Sequence, residues 1–198
     1  METKQNKSDI AKEKIMQAML QVATREGLVN TRTAEIAREA GVSEGLLFKY
    51  FPSKNQLFEA VVGKLFQRLR QGLEPIVNDL KLTATDKLAA LVDFHFNFFS
   101  TEFNIGQLVF SRADKKILDL DIGPVFEYGL NPYVLFITGI LKEGMAAGEF
   151  RPLNPEVVAT AIIGTMQIVL VNKLVFHNSV ELEAAKQEVK EYILAGVK

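Results

Sequence analysis

The chain has 198 residues, 48% hydrophobic and 24% charged, the balance of a globular protein with a sizeable core. It contains no cysteine, which excludes disulfides and thiolate metal sites, and its net charge of −1 gives no overall attraction to nucleic acid. The polar start METKQNKSDIAKEK lacks the apolar core of a signal peptide, and the longest charge-free stretch, Val157 to Asn172, is short of the ~20 residues of a membrane span, so a cytoplasmic protein with no membrane partner is expected.

In chain order, Ser8 to Gly27 carries a helical stripe of Ile10, Ile15, Ala18, Met19, Val22 and Ala23, with Gly27 as its stop. Thr33 to Ala40 follows, with Ala34, Ile36, Ala37 and Ala40 at helical spacing and Glu35, Arg38 and Glu39 between them. Thr31 is its expected N-cap, and Gly41 is placed to end it in a left-handed conformation. Ser43 caps a second short helix with Leu46, Leu47, Tyr50 and Phe51 in register, and Pro52 stops it. Ser53-Lys54-Asn55-Gln56 then has the form of a capping box opening a third helix. Two short helices across a tight Gly-containing turn describe a helix-turn-helix, whose second helix enters the DNA major groove. Charge permits this: nine basic and seven acidic residues precede Gln56, leaving +2 there and −3 in the remainder.

The run I-A-x-x-A-G-V-S-x-G-x-x-F-x-Y-F-x-S-K-x-x-L, Ile36 to Leu57, closely resembles the DNA-binding signature of the TetR (tetracycline-repressor-like) transcriptional regulators. The match is gap-free and covers the N-terminal quarter; beyond it the likeness is one of length and helical layout. Three positions depart from the common pattern: Glu44 where a lysine is frequent, Leu46 where a threonine or alanine is, and Phe48 where a tyrosine is. Docking by the start of the second helix places Ser43, Glu44, Gly45 and Leu47 nearest the bases. Thr31, Thr33, Lys49, Tyr50 and Lys54 suit phosphate contacts, and the resemblance singles out Tyr50 and Lys54 among them. Phe48 and Phe51 are expected to pack the small domain.

Leu57, Val61, Leu65, Leu69 and Leu73 then repeat every four residues, predicting a connecting helix from Lys54 to Glu74 that Pro75 ends or kinks. Residues 84 to 103, opened by Thr83-x-x-Asp86, read as a largely buried helix carrying His95. Ile105 to Leu118 is a further helix before the Gly123-Pro124 break. Val125 to Ala147 is helical by pattern with Asn131-Pro132 inside it and Gly148 at its end. Asn154-Pro155-Glu156 starts a helix reaching about Phe176 that is apolar on nearly every face, and Val180 to Leu194 is the last.

The expected fold is therefore all-α with about nine helices: a helix-turn-helix domain at residues 1–54 and a larger helical ligand-binding and dimerisation domain at 55–198. The expected function is a dimeric DNA-binding regulator, a repressor released from a palindromic operator by a small lipophilic or aromatic effector. Phenylalanines crowd the middle of the chain beside few polar groups, which is the make-up of a ligand site. The candidate lining is His95, Phe98, Phe99, Phe110, Arg112, Phe126, Tyr133 and Phe136, and the resemblance also places effector pockets here. The resemblance implies dimerisation through the last two helices as a four-helix bundle, with Val157, Val158, Ile162, Ile163, Met166, Ile168, Val169 and Leu170 at hand. No Gly-rich phosphate loop, cysteine nucleophile or paired-histidine spacing is present, so neither an enzyme, a cofactor nor a metal is expected. The alternative is a DNA-binding protein of the same fold controlled by a protein partner, or one acting structurally on the chromosome.

Overall fold

The computed structural model describes residues 3–27, 30–101, 130–174, 179 and 181–198. Among them are eight helices and no strand: α1 (Thr3–Glu26), α2 (Thr33–Ala40), α3 (Glu44–Tyr50), α4 (Lys54–Val77), α5 (Ala84–Thr101), α6 (Asn131–Ala146), α7 (Pro155–Leu174) and α8 (Leu182–Val197). The helix expected at Ile105 to Leu118 and the break at Gly123-Pro124 lie outside the described residues. The chain divides into two compact units between Leu65 and Phe66, so α4 contributes to both.

The first unit is built on α1 to α3 and the start of α4. Its core joins Ile15, Met19 and Val22 of α1 to Ile36 of α2, Leu47 of α3 and Leu57, Phe58 and Val61 of α4. Ile10, expected on the buried stripe of α1, is 49% exposed instead. The helix ends follow local chemistry. Gly27, at φ +82°, and Gly41, at φ +67°, take the left-handed conformation that leaves α1 and α2 without Cβ strain. Gln56 N–H donates to Ser53 Oγ at 3.1 Å at the start of α4. Thr31 does not cap α2: its hydroxyl donates to the Gly27 carbonyl at 2.8 Å, and the N-cap is Arg32, without a side-chain bond. α2 begins at Thr33, so the N-cap position belongs to Arg32 and Thr31 stands one residue outside it.

In the second unit α5 packs against α6, α7 and α8, and α6 lies along α7. Leu69 and Leu73 of α4, Leu88, Leu91 and Phe96 of α5, Ile137 and Leu141 of α6, Met166 of α7 and Ile193 of α8 share one core. α4 runs through Pro75 to Val77 rather than ending before it. In a last turn a proline forfeits only one carbonyl's bond, and Asn78 N–H still donates to Glu74 O at 3.0 Å. α5 starts on a reciprocal box, Asp86 N–H to Thr83 Oγ1 at 3.1 Å and Thr83 N–H to Asp86 Oδ2 at 3.3 Å. Glu149 adds a second cap from afar, accepting from Ala84 N–H at 3.1 Å and Thr85 N–H at 2.9 Å. These bonds hold its carboxyl below the usual range. Pro132 stands in the first turn of α6, where its missing N–H is not needed. Residues 125–129, where the sequence pattern begins that helix, lie outside the described residues. Val157 N–H donates to Asn154 Oδ1 at 3.1 Å, the expected cap of α7.

Polar ties join the helices. Lys87 of α5, 3% exposed, donates to both Glu143 oxygens of α6 at 2.8 and 2.9 Å. Lys190 of α8 donates to Asp93 Oδ2 of α5 at 2.8 Å. Arg151 bonds the Gly196 carbonyl at 2.9 Å and closes the end of α8.

Candidate nucleic-acid interface and effector site

Gly41 reverses the chain after α2, and Ser43, extended at φ −76° and ψ 151°, starts α3 by accepting Leu46 N–H on its Oγ at 3.2 Å. From that start the register of α3 is set. Leu47 points inward and is fully buried, so it is core rather than a base contact, which corrects the sequence expectation. Residues next to each other on a helix are about 100° apart, so Phe48 points out and is 43% exposed, against the expectation that it packs the domain. Ser43, Glu44, Gly45, Phe48 and Lys49 are the exposed residues of this stretch. Phe48 is the exposed side chain of α3 that the sequence pattern assigned to the core. The signal was there, since Leu47, Tyr50 and Phe51 already complete an i, i+3, i+4 buried stripe that leaves Phe48 on the face of Glu44.

Of the expected phosphate contacts, Lys49 is exposed, and Thr33, Tyr50 and Lys54 are half-buried. Burial pushes the Lys54 ammonium pKa down. Lys12 of α1 stands over the Tyr50 ring at 5.9 Å, bringing a second cation to the edge of α3. Thr31 is 3% exposed with its hydroxyl already engaged, so its side chain is a turn element and not a free donor at the surface.

In the second unit the fully buried His95 of α5 and Tyr133 of α6 meet, Nδ1 to Oη 2.8 Å. The Phe99 ring lies 4.7 Å from the imidazole and the Phe96 ring 6.0 Å. Burial pushes His95 down to about 3 and the Tyr133 hydroxyl upward, so both are neutral at physiological pH. The other imidazole nitrogen, Nε2, and the buried Thr138 hydroxyl have no hydrogen-bond partner among the described residues. Phe98, 5.2 Å from Phe99, and Phe136 are half-buried against the same core. Phe110, Arg112 and Phe126 lie outside the described residues.

A further surface runs along α7. Ala159, Ile162, Ile163, Met166 and Leu170 belong to the core of their own unit, with Val158 and Val169 half-buried. Val157, at 64%, and Ile168, at 55%, are exposed, with Ala161 and Gly164 open between them. By length and composition α7 is apolar enough to cross a membrane, yet one of its sides is folded into this core.

An all-α chain with the α2–Gly41–α3 unit at its start is a helix-turn-helix protein. Residues 15–61 match the bacterial regulatory proteins of the tetR family, and residues 58–196 match the YsiA-like protein C-terminal region. The chain belongs to the TetR family of transcriptional regulators. Among its relatives is the fatty acid metabolism regulator protein of Bacillus subtilis, 24% identical over 188 residues, 92% of this chain and 93% of that protein. Another is the nucleoid occlusion factor SlmA of Photobacterium profundum, 33% identical over 167 residues, 82% of this chain and 83% of that one. The fold is shared with the crystal structure of the transcriptional regulator FadR from Bacillus subtilis in complex with stearoyl-CoA, at TM-score 0.81 and 23% identity, covering 94% of this chain and 99% of that one. FadR from Bacillus halodurans matches at TM-score 0.79 and 23% identity, covering 92% and 94%.

Proposed function

We propose that this regulator binds a palindromic operator as a homodimer and is a repressor released by a small lipophilic effector. The observation that carries the operator reading is the outward face of α3, where Ser43, Glu44, Gly45, Phe48 and Lys49 are exposed while Leu47 anchors the helix from behind. Lys49, Tyr50, Lys54 and Thr33 flank it for phosphates. Two such faces, one per protomer, read grooves about 34 Å apart. The exposed Val157, Ala161, Gly164 and Ile168 of α7 supply an apolar seam with small residues for a second copy. Ile168→Glu with Val157→Glu gives monomers in sedimentation; an unaltered dimer refutes the seam.

The effector reading rests on the apolar core around the neutral His95–Tyr133 pair and on the name of one relative, a fatty acid metabolism regulator. A long acyl chain, carried as its CoA thioester, is the effector class we assign, with Phe98, Phe99 and Phe136 lining its path. Its binding selects one state of the second unit, and α4, continuous with the DNA-binding helices, carries the change to them. A thorough switch requires a preference for that state of about 5 kcal/mol. Stearoyl-CoA added to the operator complex releases the DNA; operator affinity unmoved by saturating stearoyl-CoA refutes this effector.

A second reading, a chromosome-structuring protein under a protein partner's control, is favoured by the 33% identity to a nucleoid occlusion factor. Genome-wide occupancy separates the two. A few promoter sites support the repressor, and many dispersed chromosomal sites support the second reading.

A further inference from the structure

We propose that Glu44 and Phe48 together specify the operator half-site, Glu44 by accepting from a cytosine amino group and Phe48 by covering the methyl of a thymine about one base step away. The inference rests on the operator reading above and adds what the sequence of that operator must contain. Glu44 and Phe48 are four residues apart on α3, so both lie on one face, and both are exposed. The Glu44 carboxylate has no hydrogen bond or ion pair among the described residues. An ionised carboxylate only accepts, and between two phosphate backbones it is repelled unless it finds a donor. The major groove offers two exocyclic donors, cytosine N4 and adenine N6. The adenine amino group is flanked by the acceptors N7 of its own base and O4 of its partner. The cytosine amino group has such a neighbour, guanine O6, on one side only. Cytosine is therefore the base a carboxylate tolerates best.

Phe48 presents an apolar ring to solvent beside this acid. The one apolar group in the groove is the thymine C5-methyl. A helix lying in the major groove is inclined to the DNA axis, so residues three to four apart on it meet successive bases, and the ring falls about one step from the cytosine. Glu44 thereby sets one position of each half-site and Phe48 another, and no charge pairing with phosphate is involved in either.

The experiment is selection from a randomised duplex library by the full-length protein, by Glu44→Gln and by Phe48→Ala, followed by affinity measurement on the selected duplex. Both substitutions are on the exposed face, and circular dichroism confirms that each variant folds. The wild-type protein enriches a cytosine in each half-site with a thymine about one step away. Glu44→Gln, whose amide both donates and accepts, shifts that one position to adenine by on the order of tenfold. Deoxyuridine in place of the thymine removes only the methyl; it weakens wild-type binding several-fold and leaves Phe48→Ala unchanged. Retention of cytosine by Glu44→Gln, or indifference of the wild type to deoxyuridine, overturns this inference while the operator reading stands. A library from which the wild type enriches nothing overturns both.

Discussion

Acidification should destabilise the fold through His95, by an amount the structure sets. The imidazole is fully buried between Tyr133 and Phe99, and its pKa is held near about 3 against 6.5 for the exposed group. Between those values the unfolded chain binds the proton that the folded chain refuses, so stability is full above pH 6.5 and falls as the pH drops toward 3. The slope reaches about 1.4 kcal/mol per pH unit, and the loss accumulated from pH 7.5 to pH 5 is about 2 kcal/mol. His95→Gln removes the titration but keeps a polar side chain. The measurement is urea unfolding of both proteins at fixed concentration across that range. His177 and the carboxylates are common to both and cancel in the difference. The variant's disadvantage at pH 7.5 should shrink by about 2 kcal/mol at pH 5. Parallel pH profiles would show that the buried imidazole is not the proton-refusing group and refute the reasoning.

Gly144→Ala places a Cβ into the Phe150 ring and should destabilise by about 1–3 kcal/mol in urea unfolding, because the ring is buried and has little room to yield. Glu143→Gln strands the buried Lys87 ammonium and should cost about 1–3 kcal/mol, whereas Lys87→Met removes the charge with its stem still packed and should be close to neutral; equal losses would contradict this. Ser43→Ala removes the acceptor for Leu46 N–H, costs about 1 kcal/mol locally, and should speed hydrogen exchange at that amide.

The helix-turn-helix was legible because its determinants are local. Gly41, Ser43, Pro52 and Ser53 each act within a turn of themselves, and the structure uses all four positions where the sequence put them. Facing is a different matter. On a helix of seven residues, Leu46, Leu47 and Phe48 are consecutive apolar side chains, and which one turns inward depends on packing partners outside the helix, α2 among them. Thr31 differs from expectation for a positional reason, since α2 starts at Thr33 and its N-cap position falls on Arg32, one residue further along. α7 has no polar face to orient it, so its sequence did not separate the half embedded among α5, α6 and α8 from the half that carries Val157 and Ile168. The His95–Tyr133 contact spans 38 positions of chain and has no periodic trace in it.

The seven residues of α3 have a consequence for how such a protein changes over generations. Leu47 is its one deeply buried side chain, and Ser43 and Phe51 hold the two ends. Exchanges at exposed positions away from caps and cores usually move stability by less than about 0.5 kcal/mol. Positions 44, 45, 48 and 49 are therefore nearly uncoupled from folding, and each can be rewritten singly without passing through an unstable intermediate. A duplicated copy of this gene would be free to drift to a new binding sequence one substitution at a time, keeping the rest of its regulatory body as it is.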